Sequence, residues 1–264
     1  MKYNKLIKTF TTLLTIAFGI VSIVYLQKKN LDRELVTDND YYLIEEQKLA
    51  SMAKLQKKIP SFGLNNLLAD LTYLRYVQYF GDRKAREVTG YSVVTDYFEN
   101  IVNRDPNFIQ SHFVMSTANS LFAAQPEKTV EFLDRALETL NPTVPNYPFL
   151  VWTYKATDEI LFLGDIEAAK DSYRNAAQWA KAYTKYEEDL GNEMAERFNK
   201  TANFLANNPN PGQAQFGAWM STLSTAKDRK TQDYVLNRLK ELGAEINISP
   251  DGRLDIKPPK FNQA

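Results

Sequence analysis

Residues 9–27, TFTTLLTIAFGIVSIVYLQ, contain no charged position, whereas downstream the apolar residues recur among polar ones, mostly at helical spacing. As a helix the run spans about 28 Å at 1.5 Å per residue, close to the ~30 Å hydrocarbon core of a bilayer. Lys2, Lys5 and Lys8 precede it, and Lys28 and Lys29 follow. The pattern predicts an uncleaved transmembrane anchor within residues 1–29, in contact with lipid from Thr9 to Gln27. A cleaved signal peptide and a buried soluble helix are the alternatives, and SIVYLQKKN after the run offers no small-x-small cleavage site. Lysine and arginine flank the anchor evenly, and only the α-amino group tips the balance toward a cytoplasmic N-terminus. The bulk of the chain is then expected in a periplasm or lumen, with the cytoplasmic face left open.

Residues 30–40, NLDRELVTDND, read as a polar stalk. A helix is predicted from about Tyr41 to Lys58, stopped by Ile59-Pro60 because a residue before proline avoids the helical region. Ser61 is placed to cap the next helix. That helix contains LLADLTYLRYVQYFGD, residues 67–82, apolar on nearly every side. Leu64, Leu67, Leu68 and Leu71 share a face that Arg75 and Gln78 continue, while Tyr73, Tyr76 and Phe80 cover the opposite one. Asp70, Arg75 and Gln78 would be costly in lipid, so a second span is not expected. The helix is expected to be wedged between neighbours and ended by Gly81 as a left-handed cap.

Three later segments share one spacing: Val94, Phe98, Ile101; Thr129, Leu133, Ala136; Ala169, Tyr173, Ala176. Each steps by four and then three, and the last members lie 35 and 40 residues apart. Such a near-period signals helical-hairpin repeats. Leu163-Gly164-Asp165 has the composition of a turn between paired helices, and Asp105-Pro106 and Asn141-Pro142 that of hairpin ends. On these residues the chain resembles tetratricopeptide repeats over about 63–181, best at 151–180. Thr129 and Val94 stand where that family keeps alanine, and no closing proline follows Ala176.

Residues 184–207 read as one long helix, with shorter helices near 213–226 and 230–242 forming a hairpin that caps the array. After Gly243, EINIS-PDG-RLDIK alternates about a turn and predicts a small β-hairpin. The expected fold is therefore all-α: a TPR-like array, right-handed as the resemblance implies, behind one transmembrane helix and followed by a small β-hairpin. Its parts are the anchor (1–29), stalk (30–40), repeats (41–181), helical cap (182–243), and β-hairpin with tail (244–264).

Thirty-two Lys plus Arg balance 32 Asp plus Glu, which argues against a nucleic-acid partner held by a basic field. The absence of cysteine removes disulfides, thiol catalysis and iron–sulfur ligation, and one histidine, His112, rules out multi-histidine metal sites. His112 is read as a packing residue. Glu187, Glu188 and Asp189 are consecutive, point in three directions on a helix and read as solvated. No phosphate loop or calcium loop is present, so no cofactor, metal or catalytic residue is assigned and no enzyme is expected. The candidate protein-binding residues are Arg75 and Gln78, able to project from the leucine face, and Tyr154 and Asp158, on the surface that lines the groove in tetratricopeptide repeats. The Lys/Asn clamp for acidic peptide tails is missing, since Val114, Ala118, Tyr154 and Asp158 stand at those places. These readings point to a membrane-anchored protein-interaction module, a scaffold or assembly factor. A permanent structural subunit of a membrane complex, photosynthetic for example, is the alternative.

Overall fold

The computed structural model describes residues 39–249 and 254–261, together with Thr12, residues 14–25 and Gln27 of the N-terminal run. The chain divides into two units, Met1–Glu45 and Glu46–Ala264. In the first, residues 14–25 are helical, and the large apolar side chains from Leu14 to Tyr25 are 54–75% exposed. The rest of the expected anchor, and the stalk before Asn39, lie outside the described residues. Among the described residues no helix is long and apolar enough to cross a membrane. Asn39 and Asp40, assigned to the stalk, already belong to α1, Asn39–Gln56.

From Glu46 onward the fold is helical apart from one two-stranded sheet. The chain leaves α1 before Ile59-Pro60, as the proline predicts. Ser61 does not cap α2 (Asn65–Gly81) with its side chain; its carbonyl accepts from Leu64 N–H at 2.8 Å in the connecting turn. Gly81 is not a left-handed cap either. It is the last residue of α2, and Asp82 follows at φ −75°, its carboxylate accepting from Ala85 N–H to start α3, Arg83–Thr89. This short helix was not expected, because a seven-residue segment without an apolar stripe carries no periodic signal.

Helix α4 (Val94–Arg104) packs on α2 through Phe98 against Tyr76, ring centres 4.7 Å apart, and Tyr97 against Tyr79 at 5.5 Å. Helix α5 (Ile109–Met115) runs on as a π-helix, Ser116–Phe122, before α6, Pro126–Leu137. In the same way α7 (Phe149–Asp158) runs on as a π-helix, Glu159–Leu163, before α8, Ile166–Tyr183. The two turns share one geometry. Ala124 sits at φ +53° while Gln125 N–H donates to Asn119 O at 2.8 Å; Gly164 sits at φ +70° while Asp165 N–H donates to Glu159 O at 2.8 Å. These positions are forty residues apart, the interval between the second and third apolar stripes. Except for half-buried Tyr173, every member of the three stripes is fully buried.

Helix α9 (Glu188–Leu205) lies close on α8: a Cβ added at Gly191 would come within 2.7 Å of Ala180 O, so the backbones touch. Helices α10 (Gly212–Thr225) and α11 (Arg229–Glu241) form the expected hairpin, but its main seat is on the two π-helical turns. Trp219 meets Phe162 edge-on at 5.2 Å, and Val235, Leu239 and Ala124 complete that core. Strands β1 (Glu245–Ile248) and β2 (Leu254–Lys257) pair antiparallel with Glu245 opposite Lys257, giving the predicted β-hairpin.

Candidate interaction surface

The packed side of α2 carries Ala69, Thr72, Tyr76 and Tyr79. Opposite stand Leu64, Leu67, Leu71, Leu74 and Val77, 43–58% exposed. The expectation that α2 is covered all round is therefore corrected: one face packs on α4 and the leucine face is open. A helix rich in leucine can fill a core on one side only where a neighbour is supplied, and apolar identity does not say which side that is.

Arg75 and Gln78 are both exposed on α2. Arg75 Nη1 donates to Gln56 Oε1 across a long 3.4 Å, and the buried Gln56 donates its amide to the Thr72 hydroxyl. Glu46 accepts from the Tyr79 hydroxyl at 2.7 Å, so α1 and α2 run antiparallel, tied from the end of α1 to the middle of α2 and from the middle of α1 to the end of α2. Tyr154 is half-buried, its ring stacked on Phe113 at 5.3 Å and 25°. The described contacts do not join it to Arg75 or Gln78.

Asp158 requires a correction. It is 0% exposed, not a groove-lining surface residue, because its side of α7 faces the preceding hairpin. Ser116 Oγ donates to Asp158 Oδ1 at 2.8 Å, while Oδ2 is buried with no hydrogen-bond partner among the described residues. Burial pushes the carboxyl up to about 7, against the opposing pull of the serine hydroxyls. A neutral acid is the cheaper state for an oxygen held away from both water and a donor. One residue on, Glu159 is paired: Lys155 Nζ donates to Glu159 Oε1 at 2.7 Å, and Ser172 Oγ donates to Oε2 at 2.8 Å. Burial alone would lower the Lys155 ammonium, but Glu159 and Asp134 hold it above its ordinary value. The i,i+4 spacing of Lys155 and Glu159 was a readable signal for this pair.

His112 is fully buried on α5, its Nε2–H donating to Pro106 O at 2.8 Å. Burial pulls the imidazole down to about 4, so it is neutral over the physiological range. A neutral ring sealed in the core and tied to a backbone carbonyl is a packing element. Glu187, Glu188 and Asp189 are exposed around the start of α9, and among the described residues no three of His, Asp and Glu are placed to hold a metal ion.

The sequence reading missed the buried centre around Glu46. Its carboxylate accepts from Arg86 Nη1 at 3.0 Å, Ser92 Oγ at 2.6 Å and Thr89 Oγ1 at 3.2 Å, besides Tyr79. Burial pushes the Tyr79 phenol up, keeping it a neutral donor. No local pattern announces these partners, which stand 33 to 46 residues from Glu46. Compared with family models, curated proteins and solved structures, the chain matches none.

Proposed function

We propose that the protein is a membrane-tethered helical interaction module, TPR-like in organisation and not an enzyme, that docks a protein partner on the outer face of α2. Residues 9–27 supply the tether in this reading, and the larger unit lies outside the cytoplasm. The observation that carries the docking reading is the setting of Arg75: an exposed guanidinium held by one long hydrogen bond, beside exposed Gln78 and flanked by exposed Leu74 and Val77. A charged fork within an apolar surround is the composition of interface anchor points. Tyr154, stacked on Phe113, and buried Asp158 stand outside this docking face. The repeat reading draws support from the two turns of equal geometry forty residues apart.

The test is capture of partners by the tagged full chain from detergent-solubilised membranes, read by mass spectrometry, for wild type and Arg75→Ala. The variant is expected to keep the wild-type helical signal and melting temperature and to lose recovery of the partner. Full recovery of every partner by a stable Arg75→Ala protein would overturn the assignment.

A further inference from the structure

The turn joining α1 to α2, residues 57–64, forms an exposed tip. Phe62 is 88% exposed there and sits at φ +48°, a region bulky residues rarely enter. Backbone strain that holds an aromatic ring out in water contributes nothing to this fold, and such strain collects at sites of contact. Around the tip, Met52 and Leu55 on α1, Ile59 in the connecting turn, and Leu67 and Leu71 on α2 are 43–60% exposed. Exposed apolar side chains on both arms of the tip, gathered around an exposed aromatic ring, mark a docking surface.

Charge identifies the occupant. From Gln47 to Leu71, the span that supplies the tip, the chain carries Lys48, Lys54, Lys57 and Lys58 against one acid, Asp70, although acid and base balance 32 to 32 over the whole chain. Lys57 is compensated by Asp96 and Glu99 on α4. Lys48, Lys54 and Lys58 are exposed and have no ion-pair partner among the described residues. Exposed leucine, isoleucine and phenylalanine beside uncompensated lysines match the two layers of a membrane surface, acyl chain below and anionic headgroup above. A second copy of the same face would set these lysines against one another.

We infer that the α1–α2 tip, with Phe62 at its apex, is a lipid-contact surface that lays the helical unit on an anionic bilayer. This goes beyond the protein-docking reading, which concerns the turns of α2 that follow Leu71, around Arg75 and Gln78.

The chain lacks cysteine, so single-cysteine variants of the full-length protein report position cleanly. Ser61→Cys and Leu71→Cys carry an environment-sensitive fluorophore at the tip, Glu193→Cys on exposed α9 serves as control, and Val21→Cys reports the tether. Each is reconstituted in vesicles of phosphatidylcholine with or without phosphatidylglycerol, and helical content is checked by circular dichroism. Nitroxide-bearing lipid is expected to quench the 61 and 71 labels at least about two-fold more than the 193 label, more strongly with phosphatidylglycerol. Iodide in the aqueous phase should show the reverse order, and Lys54→Glu/Lys58→Glu should weaken the lipid quenching. Tip labels as open to iodide as the 193 label would overturn the inference, even with Val21 in lipid. Tip labels shielded from iodide yet insensitive to nitroxide lipid would overturn it in favour of a covering protein.

Discussion

Arg86 donates to Glu46 at 3.0 Å with both side chains buried, joining α3 to α1 across forty positions of sequence. The guanidinium also lies 3.5 Å from the centre of the Tyr79 ring, so it stands between an anion and a π face. Among the described residues its charge has no other carboxylate partner. Removing Glu46 therefore leaves a buried cation, and Glu46→Ala is expected to cost about 3–5 kcal/mol in urea unfolding. The double variant Glu46→Leu/Arg86→Met should cost clearly less than the sum of the single changes, because both charges leave together. Additive effects would show that Arg86 finds water when Glu46 is gone.

Two buried groups titrate in one window with opposite sign. Folded His112 takes its proton near pH 4 rather than 6.5, so between those values the unfolded chain binds the extra proton and acidification weakens the fold. Folded Asp158 keeps its proton up to about 7 rather than 3.8, so over nearly the same range acidification strengthens the fold. The His112 effect amounts to about 3 kcal/mol and the Asp158 effect to about 4 kcal/mol, so together they largely cancel. Asp158→Asn is expected to be more stable than wild type at pH 8 and to lose stability more steeply from pH 6.5 to 4. His112→Gln should instead gain stability on acidification from pH 7 to 4. Urea midpoints across this range check both slopes.

Glycine to alanine should act with opposite sign at two positions. Gly164 sits at φ +70°, and a Cβ there would meet the Gln215 amide at 2.6 Å. Gly164→Ala is expected to lower stability by about 1–2 kcal/mol from backbone strain alone. Gly217 lies within α10 with nothing within 4 Å of an added Cβ, so Gly217→Ala should raise stability by about 0.5–1 kcal/mol. Thermal melts of the two variants read the signs directly.

The three stripes give a graded series. Phe98→Ala should cost about 3–5 kcal/mol because Phe98 is fully buried against Tyr76. Tyr173, half-buried with Phe198 as ring neighbour at 6.2 Å, should cost about 3 kcal/mol or less when changed to alanine. Glu188→Ala, on an exposed face, should stay within about 0.5 kcal/mol. Equal losses at all three positions would contradict the observed burial.

Period and punctuation made most helices legible, together with the sheet. The stripes from Val94 to Ala176 are buried where spacing placed them, Gly164 takes the left-handed turn its neighbours suggested, and EINI pairs with LDIK. The failures have a common physical origin. Asp158 and Tyr154 share a stripe by spacing, yet burial depends on what the next hairpin brings, and Ser116 meets Asp158 but not Tyr154. The leucine face of α2 looked like core because apolarity records a preference for leaving water, not the identity of the cover. The π-helical segments shift the phase of both turns, and a 3.6-residue wheel has no term for that shift. Of the candidate site, Arg75 and Gln78 were legible as exposed polar interruptions of an apolar run, whereas the Glu46 centre depended on distant partners.

The seat of the C-terminal hairpin sets an order on biosynthesis. Thr225 reaches back 104 residues to Leu121, and Tyr234 reaches back 107 to Glu127. Trp219, Val235 and Leu239 are what bury Phe162 and Ala124. A ribosome therefore delivers both central turns well before it delivers their cover. Until translation passes residue 239, the nascent chain carries an uncovered apolar seam in its middle, which is when a chaperone has something to hold.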